Sequence, residues 1–427
     1  MSIHSLTANR TNEPTPSRML FIWLGFAVAL IVAPLIFTSS LAISHLTQIC
    51  TIVILALAYN VLLGQSGMLS FGSAAFSGLG AFMSVHAMNF AGDGVIWLPL
   101  PLVPIVGALT GLAFAALIGY VITRTSGVTF AMITLGIGQM IYASALMFPA
   151  FFGGEGGVST NRVYGNPFFD WDFGPQIQVY YLGAAWLLIS VMALFYLTRT
   201  PLGRLLNGVR DNEERVAFVG FDPHILRYMA LMISGLFAGI GGTLMAINFE
   251  VATDEILSLH ESGAVLLFTF IGGTGTFIGP MLGAVIGVLL TKFLPDYTAG
   301  WQMYLGLVFI LVVVYAPGGI SSLLKPGINL VRLSFVHRQY TSFLGLILSA
   351  LAILFGVIIL IELMYHRATD TSDPLLLFGL SLNHQGIMAW LIGAVILLAG
   401  ILTIKPSGRL LLERLAANEP EYQEDQP

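Results

Sequence analysis

The sequence predicts an all-α polytopic membrane protein with about 10 to 12 transmembrane helices, including glycine-broken or re-entrant segments. Two observations predict this fold class. Apolar residues make up 56% of the 427 positions and charged residues only 9%, whereas an ordinary soluble domain carries about 25% charged residues. The apolar residues also form blocks of membrane-spanning length, so lipid is the expected solvent for most of the chain.

Uncharged runs of about 20 residues mark the predicted spans. They are 19–37, 41–63, 71–90, 98–122, 127–148, 179–197, 228–248, 301–316, 342–361 and 386–404. The charge-free stretch 262–291 is too long for one straight helix, and Gly272-Gly273-Thr274-Gly275 interrupts it. This stretch is therefore predicted to be a pair of shorter helices or a re-entrant hairpin that turns at the glycines.

The basic residues predict the orientation, because Lys and Arg concentrate in cytoplasmic loops. With the N-terminus inside and the 262–291 pair crossing twice, all of the 17 Lys and Arg residues except Arg162, Lys292 and Arg367 fall inside. Both termini are thus predicted to be cytoplasmic. The predicted organisation is a cytoplasmic N-terminal segment 1–18, a core 19–325, a basic cytoplasmic link 326–341, an additional transmembrane pair 342–404 and a cytoplasmic tail 405–427.

Charge and residue usage exclude several functions. The net charge is -5 and no basic stripe runs along the chain, so no nucleic acid is expected as a partner. Cys50 is the single cysteine, which excludes an intramolecular disulfide. An acidic external stretch is the one candidate for enzyme chemistry or cation binding, but solvation or docking of a partner explains it better, and no metal site is predicted. Its members are Glu250, Asp254, Glu255, His260 and Glu261.

The internal loop 198–227 carries the strongest local signals. Thr200-Pro201 is typical of a helix start, with a capping residue before a proline at the first helical position. Leucines and a valine then repeat on one helical face, which predicts an amphipathic helix at the membrane surface. Asp211 and Glu214 predict a capping box for a second short helix that ends near Gly220. The loop is either a docking surface for a soluble partner or a solvated loop.

The loop sequence TPLGRLLNGVRDNEERVAFVGFDP resembles the coupling loop of the M-type permease subunit of branched-chain amino acid ABC importers. The resemblance extends to ALAYNVLLGQSGMLSFGSAAFSGLGAF, to the run 124–140, and to ISGLFAGIGGTLMAI and FIGGTGTFIGPMLGA, and so covers roughly residues 19 to 325. The chain after Arg338 departs from the family pattern. Residues that match in the loop are Gly203, Arg204, Arg210, Asp211, Asn212, Glu213, Ala217 and Gly220.

The resemblance implies a multi-pass subunit of the bacterial inner membrane. It implies a second homologous permease subunit, two cytoplasmic ATPase subunits and a periplasmic or extracellular substrate-binding protein as partners, besides membrane lipid. In this family the coupling loop seats in a groove of the ATPase subunit, so the matching loop residues are expected to couple to it. This chain itself is expected to bind no cofactor, and ATP is used by the partner subunits.

The resemblance also implies where the solute passes. Small residues punctuate the apolar segment 64–80, which favours close helix packing or a broken helix whose freed amides line a cavity. Polar side chains at membrane depth either hydrogen-bond a neighbouring helix or line the path. The predicted path residues are Tyr59, Asn60, Gln65, Ser66, Gly67, Ser70, Gly72, Thr134, Gln139, Asn248, Gly272 and Gly273. Such uncharged groups between apolar walls suit a small zwitterion with an aliphatic side chain, although urea or a short amide fits the same chemistry.

An ion-coupled secondary transporter is the main alternative function. Proton or sodium coupling typically requires carboxylates within the bilayer, and no Asp or Glu lies in a predicted span. The nearest are Glu250, Glu261 and Glu362, all at predicted ends. The chain also lacks the Gly-x-x-x-x-Gly-Lys-Ser/Thr motif that cradles nucleotide phosphates, so ATP hydrolysis is expected on another polypeptide. A passive channel would not need the helical internal loop, and a membrane enzyme would need clustered reactive groups.

Overall fold

The computed structural model describes residues 16–164, 171–296, 298, 300–316, 318–323, 340–368, 375–377, 380–382 and 387–416. The predicted N-terminal segment, most of the link 326–341 and the end of the tail lie outside these residues. The chain divides into two compact units, Met1–Val288 and Leu289–Pro427. Each unit consists mainly of helices, as the sequence predicts.

The first unit contains twelve helices in its described part. They are α1 (Pro16–Ile36), α2 (Ser40–Asn60), α3 (Ser73–Gly92), α4 (Val103–Ile122), α5 (Gly127–Met147), α6 (Pro149–Phe152), α7 (Gln176–Arg199), α8 (Pro201–Asp211), α9 (Glu213–Phe218), α10 (Pro223–Phe249), α11 (Leu259–Gly272) and α12 (Ile278–Val288). A π-helical turn, Val61–Gln65, extends α2. The strands β1 (Val158–Ser159) and β2 (Val251–Ala252) pair antiparallel, with Val158 opposite Ala252.

Helices α2 and α10 form the centre of this unit. Within the most apolar window of each helix, the buried share is 78% in α2 and 72% in α10, but only 28% in α5 and 33% in α4. Helix α4 is at least as apolar as the two central helices, and both α4 and α5 expose apolar side chains that lipid can cover. Two central helices therefore carry the contacts to the rest of the unit.

Glycines allow α4 and α10 to pack with their backbones in close contact. A Cβ atom on Gly239 would lie 2.0 Å from the carbonyl oxygen of Gly107, and one on Gly111 would lie 2.1 Å from the carbonyl oxygen of Gly235. Next to this contact, Ser84 of α3 and Thr243 of α10 share a buried hydrogen bond of 2.7 Å. Small residues and buried hydroxyl groups are the usual means of holding helices together in lipid.

The charge-free stretch forms two helices, α11 and α12, as predicted. Gly273 ends α11 with a φ of 103°, a backbone conformation that favours glycine. A Cβ atom on Gly272 would lie 1.9 Å from the carbonyl oxygen of Gly279, so the two helices meet tightly next to the turn. The glycines identified in the sequence therefore produce the helical hairpin.

The second unit begins with the turns Leu289–Phe293 and Leu294–Asp296 and contains α13 (Trp301–Tyr315), α14 (Tyr340–Ala368) and α15 (Ile387–Ala416). The strands β3 (Leu375–Leu377) and β4 (Leu380–Leu382) pair antiparallel between the last two helices. Helices α14 and α15 pack through glycines as well, since a Cβ atom on Gly356 would lie 2.7 Å from the backbone nitrogen of Leu397. The predicted additional transmembrane pair corresponds to these two helices.

The position of Glu362 differs from the sequence prediction. The predicted span ended before this carboxylate, but α14 continues to Ala368, and Glu362 lies buried within a candidate span that runs from Leu344 to Ala368. The hydroxyl group of Tyr304 donates a hydrogen bond of 2.8 Å to its Oε1 atom. A hydrogen-bonded partner lowers the cost of burying a carboxyl group, so the helix does not have to end there.

In its described residues the chain has eight helices that are long and apolar enough to cross a membrane. Three shorter apolar helices, Phe21–Ile36, Leu259–Gly272 and Trp301–Tyr315, accompany them. Helix α3 has the length of a span but is less apolar, because serines and glycines occupy many of its positions. These elements agree with the predicted all-α polytopic membrane protein.

Replacing Gly239 with leucine is expected to destabilise the first unit. The new side chain has no space against the backbone of α4, and overpacking of this kind costs about 3 kcal/mol. Gly136 on α5 is the matched control, since a Cβ atom there meets no atom within 4 Å. Thermal unfolding of the purified chain in detergent should show a lower midpoint for Gly239→Leu than for Gly136→Leu; equal midpoints would contradict the close α4–α10 packing.

Candidate functional site

The candidate site is built around a break between α2 and α3. After the turn Val61–Gln65 the chain leaves the helix, and residues Ser66–Gly72, here named the extended segment, connect it to α3. The hydroxyl group of Tyr59 donates a hydrogen bond of 2.9 Å to the carbonyl oxygen of Ser70, and the backbone nitrogen of Ser70 donates to the same hydroxyl group at 3.3 Å. Both residues are fully buried. The segment therefore turns back along α2 instead of leaving the bundle.

Side chains of α5 and α11 bind the backbone that the break leaves without helical partners. The backbone nitrogen of Phe71 donates to Thr134 Oγ1 at 3.2 Å, and that of Ala74, in the first turn of α3, donates to Ser262 Oγ at 2.9 Å. A Cβ atom on Gly72 would lie 2.5 Å from the carbonyl oxygen of Thr134. Non-helical backbone within a membrane requires such partners. The sequence prediction included Thr134 but missed Ser262, whose only signal was its place at the start of the charge-free stretch.

The two glycine-rich regions predicted to flank one path meet at Gly64. A Cβ atom on this glycine would lie 2.7 Å from the carbonyl oxygen of Thr274, in the turn between α11 and α12, and 2.1 Å from Asn60 Oδ1. The end of α2 and the hairpin turn are thus in direct contact. Gly272 and Gly273 form this turn and lie beside the path residues of α2.

Two buried amide side chains near the break keep a free acceptor. Asn60 Oδ1 and Gln65 Oε1 are shielded from solvent, and neither accepts a hydrogen bond from the residues that the structure describes. The neighbouring Ser66 hydroxyl group is satisfied, because it donates to the carbonyl oxygen of Leu62 at 2.7 Å. An unsatisfied buried acceptor costs about 1 to 3 kcal/mol. Ser73 Oγ, at the start of α3, is likewise buried without a hydrogen-bond partner among the described residues.

Two predicted path residues lie elsewhere. Gln139 is exposed on the outer surface of α5. Asn248 lies at the far end of α10, where its Oδ1 accepts a hydrogen bond from Gln176 Nε2 and its Nδ2 donates to Ser44 Oγ at 3.2 Å. Asn248 thus joins three helix ends and does not lie with the other path residues of this chain.

In its described part the segment 151–178, here named the cap, packs against the end of α10. Arg162 is buried and donates hydrogen bonds of 2.9 Å to the carbonyl oxygens of Phe173 and Gly174. It also forms an ion pair of 3.2 Å with Glu250, which follows α10. Burial raises the pKa of Tyr164 in the same cap to about 12, so this phenol stays neutral at physiological pH. Arg162 therefore fixes the cap to the end of α10.

At the opposite end of α10 lies the loop 198–227, which the sequence resemblance predicts to be the coupling loop and which keeps that name here. Thr200 caps α8, since its Oγ1 accepts a hydrogen bond of 3.3 Å from the backbone nitrogen of Gly203. The apolar face of α8 is buried at Leu206 and Val209, which confirms the predicted amphipathic helix. A Cβ atom on Gly203 would lie 2.4 Å from the carbonyl oxygen of Leu197, so this glycine permits the tight approach of α8 to the end of α7.

The predicted capping box of the second helix is wrong by one residue. Asn212 caps α9 and accepts a hydrogen bond of 2.9 Å from the backbone nitrogen of Arg215. Asp211 is the last residue of α8 instead, and its carboxylate pairs with Arg210 at 3.0 Å. The sequence pattern assigned the Asp211 carboxylate to the cap of α9, but in the structure this carboxylate pairs with the neighbouring Arg210. Gly220 has a φ of 97° and follows α9 closely, as predicted.

Two charged side chains of the loop contact the transmembrane helices. Arg210 Nη1 donates a hydrogen bond to the carbonyl oxygen of Gly64. Glu213 forms an ion pair of 2.6 Å with Arg227, a buried residue in the first turns of α10. Between the loop, the extended segment and the start of α5 lies a polar cavity of about 250 Å³. Among the described residues no group of three His, Cys, Asp or Glu side chains is arranged to hold a metal ion.

Much of the loop is open to solvent, and the side chains of Arg210 and Glu213 are themselves 39% and 46% exposed. Arg204, Glu214 and Arg215 are exposed, and Phe218 and Val219 expose 89% and 69% of their surface. With Phe221 they form a group, here named the apolar tip, that the sequence analysis did not single out. The available signal was the placement of two phenylalanines and a valine around Gly220 in a loop that is otherwise polar.

Comparisons with known proteins are consistent with this architecture. Residues 41–316 match the family described as branched-chain amino acid transport system / permease component. The chain is 28% identical to the high-affinity branched-chain amino acid transport system permease protein LivM of Salmonella typhimurium, over 74% of this chain and 78% of the relative. It is 30% identical to the guanosine ABC transporter permease protein NupQ of Bacillus subtilis, over 52% of this chain and 71% of the relative. No solved structure matches.

Replacing Tyr59 with phenylalanine is expected to loosen the extended segment. The substitution removes the donor to the carbonyl oxygen of Ser70 and the acceptor for its amide, which should cost about 2 kcal/mol. Tyr196→Phe is the matched control, because Tyr196 is half exposed and surface changes cost less than about 0.5 kcal/mol. Thermal unfolding should distinguish the two variants; a Tyr59→Phe chain as stable as Tyr196→Phe would argue against this hydrogen bond.

Proposed function

The chain belongs to the family of branched-chain amino acid transport system permease components, and from this we propose that it is the permease subunit through which an ATP-driven importer moves branched-chain or similarly apolar amino acids. The observation that carries the proposal is the extent of the family match. Residues 41–316 include the break after α2, the hairpin α11–α12 and the coupling loop. Most of the first unit and α13 thus share a sequence pattern with importer permeases.

The energy for transport would come from partner ATPase subunits. The chain has no phosphate-cradling Gly-x-x-x-x-Gly-Lys-Ser/Thr motif of its own. We propose two cytoplasmic ATPases, a second homologous permease and an external substrate-binding protein as companions. Both chain termini would then lie in the cytoplasm, on the side of the coupling loop.

The apolar tip is the proposed contact of the coupling loop with an ATPase subunit. Large apolar side chains are exposed there, in the turn between α9 and α10. Aromatic residues that fill a partner's pocket commonly dominate the binding energy of an interface. The exposed charges of Arg204, Glu214 and Arg215 would form the polar rim around this anchor.

Gln139 can contribute to the path only between two permease subunits. Its side chain lies on the exposed face of α5, together with Met132 and Met140, which expose 61% and 56% of their surface. A polar amide on an apolar face is costly against lipid. Contact between this face and the second permease would shield Gln139 and bring it towards the path.

The proposed solutes are small molecules that can donate hydrogen bonds to neutral acceptors. Asn60 and Gln65 offer neutral acceptors, which suit an ammonium or amide group, as in an amino acid, urea or a short amide. The similarity to a guanosine permease favours a nucleoside as the second candidate. The complete importer should be reconstituted in vesicles and offered leucine, valine, guanosine and urea. We expect ATP-dependent uptake of leucine and valine; uptake of guanosine or urea alone would refute the proposed substrate class.

Replacing Phe218 with serine is expected to weaken the binding of the ATPase subunit about thirtyfold, as for loss of an interface anchor worth about 2 kcal/mol. Trp97→Ser is the matched control, since Trp97 is 87% exposed and follows the end of α3 on the cap side. Affinity should be measured between purified permease complex and ATPase subunit. Equal affinities of the two variants would show that the apolar tip is not the contact.

A further inference from the structure

Arg210 occupies an unusual position for a residue of a docking loop. It lies in the last turn of α8, yet its Nη1 donates to the carbonyl oxygen of Gly64 on α2. Its Nε donates to Asp211 Oδ1 at 3.0 Å, which holds the guanidinium group in place. A Cβ atom on Gly67 would lie 3.0 Å from Arg210 Cγ. The side chain therefore packs beneath the start of the extended segment.

The hydrogen bond to Gly64 completes the end of α2. The last carbonyl groups of a helix have no helical partner. The two carbonyl oxygens before Gly64 accept hydrogen bonds from the backbone nitrogens of Met68 and Gly67, at 2.9 and 3.2 Å. The carbonyl oxygen of Gly64 accepts one from Arg210 instead. A cation at a helix C-terminus is also favoured by the helix dipole, so Arg210 caps α2 from the coupling loop.

On its other side Gly64 packs closely against the hairpin. A Cβ atom there would lie 2.7 Å from the carbonyl oxygen of Thr274 in the turn between α11 and α12. Displacement of the end of α2 towards the hairpin would therefore push against this turn. Arg210 thus contacts the point where both glycine-rich parts of the candidate path meet.

The other charged contact of the loop borders the polar cavity beside Ser66 and Gly67, but its ion pair joins two other elements. Glu213 pairs with Arg227, only 14 positions later in the chain, and ties α9 to the start of α10. The Arg210–Gly64 hydrogen bond joins residues 146 positions apart. It is the contact through which the loop acts directly on the broken end of α2.

We propose that Arg210 is a positioning residue that transmits movement of the coupling loop to the end of α2 and the extended segment, and does not serve as a contact to the ATPase subunit. This inference rests on the proposed function, because the movement would originate in ATP-driven closure of the partner subunits. The apolar tip binds the ATPase, and Arg210 passes the movement to the path.

The test uses the complete importer, reconstituted in vesicles with its companion subunits, and an Arg210→Gln variant. ATPase subunits should co-purify in the wild-type ratio and ATP hydrolysis should continue, while the amount of leucine imported per ATP falls at least about tenfold, as for loss of a charge-assisted hydrogen bond. Arg210→Lys should import more leucine per ATP than Arg210→Gln. Its ammonium group can cap α2, but it lacks the planar guanidinium group that binds Gly64 and Asp211 at the same time. Arg124→Gln, at an exposed arginine that stacks on Tyr120, should match the wild type.

A double-substitution cycle with Gly67→Ala distinguishes loss of the Arg210 contact from a general loss of transport. The new methyl group would displace Arg210, and the φ of 71° at this position adds strain. Arg210→Ala removes the Cγ atom that the methyl group would meet, so Gly67→Ala should lower import per ATP in the wild type and by less in the Arg210→Ala background, where the backbone strain remains. Independent, multiplicative effects of the two substitutions would overturn the inference.

Three other results are decisive. Loss of ATPase co-purification in Arg210→Gln would overturn the inference in favour of the docking role predicted from the sequence. Wild-type import per ATP in Arg210→Gln would overturn it as well. A wild-type complex that shows no ATP-dependent import of any offered solute would instead refute the proposed function, and the inference with it.

Discussion

The satisfaction of backbone hydrogen bonds inside the bilayer is the constraint on which the candidate site depends. A helix that ends within a membrane leaves amide and carbonyl groups that lipid cannot bind. At the end of α2 the partners are side chains from four places: Tyr59 on α2, Thr134 on α5, Ser262 on α11 and Arg210 on the coupling loop. Three of these partners tie another element to the break, so α5, α11 and the coupling loop all contact the chain around the end of α2.

The same constraint explains why the charged contacts of the first unit lie at its two ends. On the cap side, Arg162, Asn248 and Glu250 fix the end of α10 to the external segments. On the loop side, Arg210 and Arg227 fix α8 and α9 to the ends of α2 and α10. The buried charges occur at helix ends, where backbone carbonyl groups and carboxylates are available as partners. The centre of the bundle instead relies on glycines and hydroxyl groups.

Features with a local signal were predictable from the sequence. The apolar runs predicted the helices, Gly272 and Gly273 predicted the hairpin turn, and Thr200 with Pro201 predicted the start of α8. The direction of a side chain has no such signal. Arg210 was expected to face a partner, but its carbonyl acceptor lies 146 positions earlier in the chain.

Side chains whose surroundings are set by distant elements were also predicted less well. Gln139 and Asn248 are polar residues at membrane depth in the sequence, but only the packing of the helices determines whether they lie at the break. For the same reason the span before Glu362 was predicted too short. Its partner Tyr304 comes from another helix, and a sequence window contains only the carboxylate.

Glu362 bears directly on the source of energy, because a buried carboxyl group is what an ion-coupled transporter would use. It lies in the second unit, in a helix beyond the residues that match the permease family, whereas the break, the hairpin and the coupling loop all lie in the first unit. This separation favours a mechanical drive through the loop and leaves the carboxyl group a role in holding α13 and α14 together.

The most direct measurement of this account compares energy sources in vesicles. The chain should be reconstituted alone and with its companion subunits, and leucine accumulation followed with ATP or with an imposed proton or sodium gradient. The account predicts accumulation only in the complete complex supplied with ATP. Accumulation by the chain alone, driven by an ion gradient and abolished by Glu362→Gln, would contradict it.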